Sequence, residues 1–76
     1  MEERIKNIIA AVFEIEKSKI KNNILLTDIE NYDSLRFINF LTALEEEFDC
    51  NFEYEEIQNL KSFNEILSYI TKLKSR

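Results

Sequence analysis

Ile5, Ile8, Ile9, Val12 and Phe13 recur at the three- and four-residue intervals that put apolar side chains on one face of a helix. The spacing predicts a first helix from about residue 2 to about residue 16. Residues 17–33 carry only scattered apolar anchors, Ile20, Leu25, Leu26 and Ile29, among Asn and Lys, and read as a long connection. Loops of that length in small domains are usually functional. Within it, Thr27-Asp28-Ile29-Glu30 has the spacing of a capping box, so a short turn is expected there.

The pattern returns at Ser34–Phe48, where Phe37, Phe40, Leu41, Leu44 and Phe48 share one helical face. Ser34 is the expected N-cap, and Asp33 adds negative charge at the positive end of the helix dipole. The opposite face carries Leu35, Asn39, Thr42 and Glu46, a mixed surface left for a partner. A short helical turn is expected over residues 54–60, around Ile57 and Leu60. Ser62-Phe63-Asn64-Glu65 is a second capping box, and Phe63, Ile66, Leu67, Ile70 and Leu73 stripe a last helix. Lys72, Lys74 and Arg76 fall where the negative end of that dipole favours cations. These elements predict an all-α fold, a small three- to four-helix antiparallel bundle with a long first loop.

With 76 residues the chain is expected to form one domain over 1–76, with a thin core in which the Phe stripe is structural. It contains no Gly, Pro, His or Trp. The missing glycine excludes phosphate-cradling P-loops and dinucleotide fingerprints. The missing histidine excludes Ser-His-Asp and Cys-His nucleophile arrangements and zinc sites of the Cys/His type. One cysteine, Cys50, cannot form an internal disulfide, and with no flanking base it reads as an inert apolar residue in a reduced, cytoplasmic setting. No apolar run is long enough to span a membrane, and with a charged start at Met1-Glu2-Glu3-Arg4 no signal peptide is expected. An enzyme is not expected.

The net charge of −5 is unevenly spread: residues 23–60 hold ten acids and a single base. That is the wrong sign for nucleic acid and suits docking on basic protein surfaces. Glu45-Glu46-Glu47 does not form a cation cage, because consecutive helical residues diverge by about 100°. No metal site is expected.

Asp33-Ser34-Leu35, at the mouth of a helix ending Ala43-Leu44-Glu45-Glu46-Glu47-Phe48-Asp49, resembles the acyl carrier proteins and peptidyl carrier domains. The resemblance runs over essentially the whole chain, including the opening Glu2-Glu3-Arg4-Ile5, Asn22-Asn23 in the first loop and Tyr69-Ile70 near the end. It implies that Ser34 receives a 4′-phosphopantetheine arm from coenzyme A. A phosphopantetheinyl transferase with Mg²⁺ would attach it, since this chain has no histidine base. A phosphate at a helix N-terminus is also physically favourable, meeting free N–H groups and the positive dipole end. The arm would hold an acyl or aminoacyl group as a thioester and present it to loading and downstream enzymes, the carrier itself catalysing nothing.

Departures from the family pattern bear on the pathway. Asn31-Tyr32 stands where fatty-acid carriers usually have Gly-Ala, Arg36 and Asn39 where they usually have acids, and Thr42 where an exposed Met is frequent. Partner docking is therefore expected through Asp33, Leu35, Arg36, Ile38, Asn39, Thr42, Glu45 and Glu46, toward enzymes of a dedicated secondary-metabolite or surface-polymer pathway. A monomer is expected. The competing class is a small helical protein-interaction module in which Ser34 is an unmodified helix N-cap.

Overall fold

The computed structural model describes residues 1–74. Its helices are α1 (Glu2–Phe13), α2 (Ser34–Phe48), α3 (Tyr54–Ile57) and α4 (Phe63–Lys74), with short 3-10 turns at Lys17–Lys19 and Leu26–Asp28 between α1 and α2. Arg76, expected beyond the last turn of α4, lies outside the described residues.

The apolar stripes meet in one core. Ile5, Ile9 and Phe13 of α1 pack with Phe37, Phe40, Leu44 and Phe48 of α2 and with Phe63, Ile66 and Ile70 of α4. The long first connection is not loose, because Leu26 and Ile29 are buried in the same core. It is also stitched to the α3–α4 connection: Leu26 N–H donates to the Lys61 carbonyl at 2.6 Å and Phe63 N–H to the Ile24 carbonyl at 3.0 Å. This pairing explains why the capping box expected at Thr27–Glu30 does not form. The turn starts two residues earlier than that box would set it, at Leu26 with Leu25 as the N-cap, and has no side-chain cap. The box at Ser62 does form: Ser62 Oγ accepts from Glu65 N–H at 3.1 Å, and Glu65 Oε1 accepts from Ser62 N–H at 3.3 Å.

Helix α1 stops at Phe13, short of the expected residue 16. Glu14 turns left-handed at φ 55°, and Ile15 N–H reaches back to the Ala10 carbonyl at 3.2 Å. Ile15 continues the apolar spacing, but its side chain packs as the hydrophobic anchor of a Schellman-type end. Helix α2 ends the same way, with Asp49 at φ 50° and Cys50 N–H on the Glu45 carbonyl at 3.2 Å. In a chain without glycine, both left-handed positions carry a Cβ, which is disfavoured there. Asp49→Gly is therefore expected to stabilise the fold by about 0.5–1 kcal/mol. A urea midpoint at or below that of the wild type would contradict this account of the helix end.

Cations close the exposed ends. Lys74 Nζ donates to the Phe48 carbonyl at 2.7 Å, and Arg4 donates to the Glu47 carbonyl at 2.8 Å while pairing with the Glu47 carboxylate at 2.6 Å. Lysines and arginines so placed favour the negative end of α2.

Candidate functional site

The site is built at the start of α2. Asp33 lies just outside the helix with extended backbone, and its Oδ1 accepts the Arg36 N–H at 2.7 Å. Asp33, rather than Ser34, is thus the N-cap. A carboxylate makes a stronger, charge-assisted bond to the third N–H of the helix than a hydroxyl would. Ser34 becomes the first helical residue, exposed, with its hydroxyl not needed by the helix. Because Arg36 N–H is already capped, the first-turn donors without an intrahelical acceptor include Ser34 N–H and Leu35 N–H. A phosphodiester on Ser34 Oγ fits this setting, since it would sit at the positive end of a 15-residue helix beside those donors.

The exposed face running from Ser34 is more apolar than a helix surface needs to be. Leu35 is 68% exposed and Ile38 47%, followed by exposed Asn39 and Thr42. Across from them stands Tyr54 of α3, 56% exposed. Between α2 and α3 lies an open groove of about 350 Å³ lined by Ile38, Leu41, Thr42, Glu45, Phe52, Tyr54 and Ile57. The sequence pattern named the α2 side of this groove and missed the Phe52–Tyr54 side. Tyr54 falls in a short element whose outward face no periodicity marks.

Besides the capping Asp33, two more of the expected docking side chains have work inside the fold. Arg36 Nη1 donates to the Val12 carbonyl at 2.7 Å, and its Nη2 lies 3.8 Å from the Glu14 carboxylate. Glu45 Oε2 accepts the Phe52 N–H at 2.8 Å, holding the segment between α2 and α3. Glu46 is exposed. Thr42 Oγ1 donates back to the Ile38 carbonyl at 3.2 Å, satisfying its hydroxyl within the helix.

Tyr32 and its neighbours form an aromatic floor beneath the serine segment. The Tyr32 ring stacks on Phe13 at 6.0 Å and lies 6.1 Å from Phe37, while its hydroxyl accepts from Lys61 Nζ at 3.2 Å. The same ammonium sits 3.9 Å over the Phe37 ring, a cation–π contact. Tyr69, given no partner by the sequence pattern, has its hydroxyl 3.2 Å from Glu53 N–H as acceptor and its ring edge-on to Phe52.

Cys50 is half-buried, and burial pushes its thiol above the ordinary cysteine value, with Lys74 opposing and Glu45 and Asp49 adding to the rise. A thiol so placed is a poor nucleophile at neutral pH. Among the described residues no cluster of acids, Cys or His could hold a metal ion, and no helix is long and apolar enough to cross a membrane.

Residues 3–70 match the family described as "Phosphopantetheine attachment site". The acyl carrier protein of Buchnera aphidicola subsp. Baizongia pistaciae is 39% identical over 72 residues, covering 95% of this chain and 92% of that one. That of Buchnera aphidicola subsp. Schizaphis graminum is 34% identical over 70 residues, covering 92% of this chain and 89% of that one. A solution structure of a holo acyl carrier protein from Nitrosomonas europaea superposes with a TM-score of 0.87 at 26% identity, covering 99% of this chain and 96% of that one. The chain belongs to the phosphopantetheine-binding acyl carrier protein family. It is thus a non-catalytic carrier whose prosthetic group is 4′-phosphopantetheine, served by a phosphopantetheinyl transferase and by pathway enzymes. When bound, that group supplies a thiol that holds the cargo as a thioester.

Proposed function

We propose that Ser34 carries the arm, within a single carrier domain spanning residues 1–76. The observation that carries this reading is the exposed Ser34 hydroxyl on the first residue of α2, left uncommitted because Asp33 does the capping. In the attachment step Ser34 Oγ bonds to the phosphorus bearing the pantetheine, and the pyrophosphate P–O bond of coenzyme A breaks. Adenosine bisphosphate leaves, and the serine proton passes to a base on the transferase. What this chain contributes is presentation: a hydroxyl on a rigid helix start, beside N–H donors that favour the resulting phosphodiester.

The loaded chain, in this reading, works as a monomer in the cytoplasm, in keeping with its lone, half-buried Cys50. It shuttles acyl or aminoacyl thioesters between enzymes of a dedicated secondary-metabolite or surface-polymer pathway. The docking face is Asp33, Leu35, Arg36, Ile38, Asn39, Thr42, Glu45 and Glu46. Its support is electrostatic: from Ser34 to Thr42 that face carries no acid, and its one base, Arg36, directs its charge at the Val12 carbonyl and Glu14. Enzymes whose basic patch meets the stretch just after the serine gain less from such a surface, whose acids are confined to Asp33, Glu45 and Glu46 at its two ends.

Asn39→Glu tests the pathway reading without disturbing the Arg36–Val12 contact. One restored attraction of about 0.5–1 kcal/mol should raise loading by a fatty-acid loading enzyme roughly two- to fivefold at low salt. The gain should fade as salt shortens the Debye length below about 8 Å. Loading of the wild type as fast as the variant would remove the support for a dedicated pathway.

A further inference from the structure

Ser34 is flanked by two side chains that reach to the same place. The last carbonyls of a helix lack intrahelical donors. Two of those at the end of α1, on Val12 and Phe13, are taken by residues on either side of the serine. Asn31 Nδ2 donates to the Phe13 carbonyl at 2.9 Å, and Arg36 Nη1 to the Val12 carbonyl at 2.7 Å. Between them, Tyr32 stacks on Phe13 with the rings only 12° from parallel. The segment bearing the serine is thus fastened before and after Ser34 to one rigid helix end, while the Ser34 hydroxyl itself stays outside the network. This fastening is separate from the capping of α2, which Asp33 provides.

We propose that Asn31 and Arg36 are positioning residues for arm attachment, tying the serine segment to the C-terminal carbonyls of α1 so that Ser34 is presented in one pose. This rests on Ser34 being the attachment residue. The bond from Arg36 is charge-assisted and lies at the negative end of the α1 dipole, so it is the stronger of the two. Neither side chain acts on the hydroxyl. Each raises the fraction of free carrier whose serine segment already has the shape the transferase grips, and the apparent affinity scales with that fraction. The effect therefore appears in KM for the carrier, because a bound segment is held by the transferase whatever its freedom beforehand.

The experiment measures arm transfer from coenzyme A, with Mg²⁺ and a broad-specificity transferase, to full-length wild type, Asn31→Ala, Arg36→Ala, Arg36→Lys and Ser34→Ala. Asn31→Ala and Arg36→Ala are each expected to raise KM about three- to tenfold with kcat within about twofold, equally at low and high salt. Arg36→Lys should recover most of the loss, since an ammonium can still donate to the Val12 carbonyl. Backbone amides of residues 31–36 should exchange faster in both alanine variants while those of α4 are unchanged, which separates local loosening from general unfolding. Unchanged KM in both alanine variants overturns the proposal. So does an Arg36→Ala effect that salt erases while Asn31→Ala has none, because that pattern marks Arg36 as a direct contact of the transferase. Continued modification of Ser34→Ala is a different failure: it overturns the attachment reading, and this proposal with it.

Discussion

Phe40→Ala should leave little folded protein at physiological temperature. Phe40 is completely buried at the middle of α2, with its ring centroid 5.8 Å from that of Phe13 and 6.4 Å from that of Phe37. It therefore joins α1 to α2 at the point where both helices turn their stripes inward. Removing a buried phenyl ring costs roughly 3–5 kcal/mol, from lost transfer energy and from the cavity left behind. A single core in a domain of this size supplies only about 3–5 kcal/mol of net stability. The substitution thus consumes most of what holds the fold. Helical circular dichroism in a urea titration reads this directly. The contrast is Leu35→Ala, one turn away and largely exposed, which should shift stability by no more than about 0.5 kcal/mol. A Phe40→Ala variant with a near-wild-type urea midpoint would mean that the core is not organised around this ring.

Ser34→Ala should do the reverse, abolishing attachment of the arm while sparing the fold. The hydroxyl makes no cap, since the Arg36 N–H is held by Asp33, and alanine is a good residue inside a helix. The expected stability change lies within about 0.5 kcal/mol, whereas Asp33→Ala, which removes the true cap, should cost about 1 kcal/mol. Had Ser34 been the cap, the two costs would be exchanged. The pair of variants thus separates a serine kept for chemistry from one kept for helix initiation.

The bounds of α2 and the capping box at Ser62 follow from residues within a few positions of each other, and both appear as the spacing predicts. The end of α1 was not legible. With no glycine in the chain, nothing local marks Glu14 as left-handed, and Ile15 satisfies the helical period while serving a different purpose. The short turn near Thr27 forms as expected, but not by its capping box, because a distant strand-like contact, Leu26 to Lys61, outweighs a local cap. The Asp-Ser-Leu motif was legible, yet the division of labour inside it was not: both Asp and Ser cap helices well, and only the backbone geometry shows which does. Arg36 and Glu45 looked like free surface charges because their partners, the Val12 carbonyl and the Phe52 N–H, are backbone groups whose exposure the sequence does not announce.

The placement of the arm on Ser34 is the claim on which the rest depends, and intact mass tests it most directly. Wild type and Ser34→Ala are incubated side by side with coenzyme A, Mg²⁺ and a broad-specificity phosphopantetheinyl transferase. Both should be folded by circular dichroism. The wild type is expected to gain the mass of one phosphopantetheine group, and Ser34→Ala none. A mass gain in Ser34→Ala, or a folded wild type that gains nothing, would contradict the account.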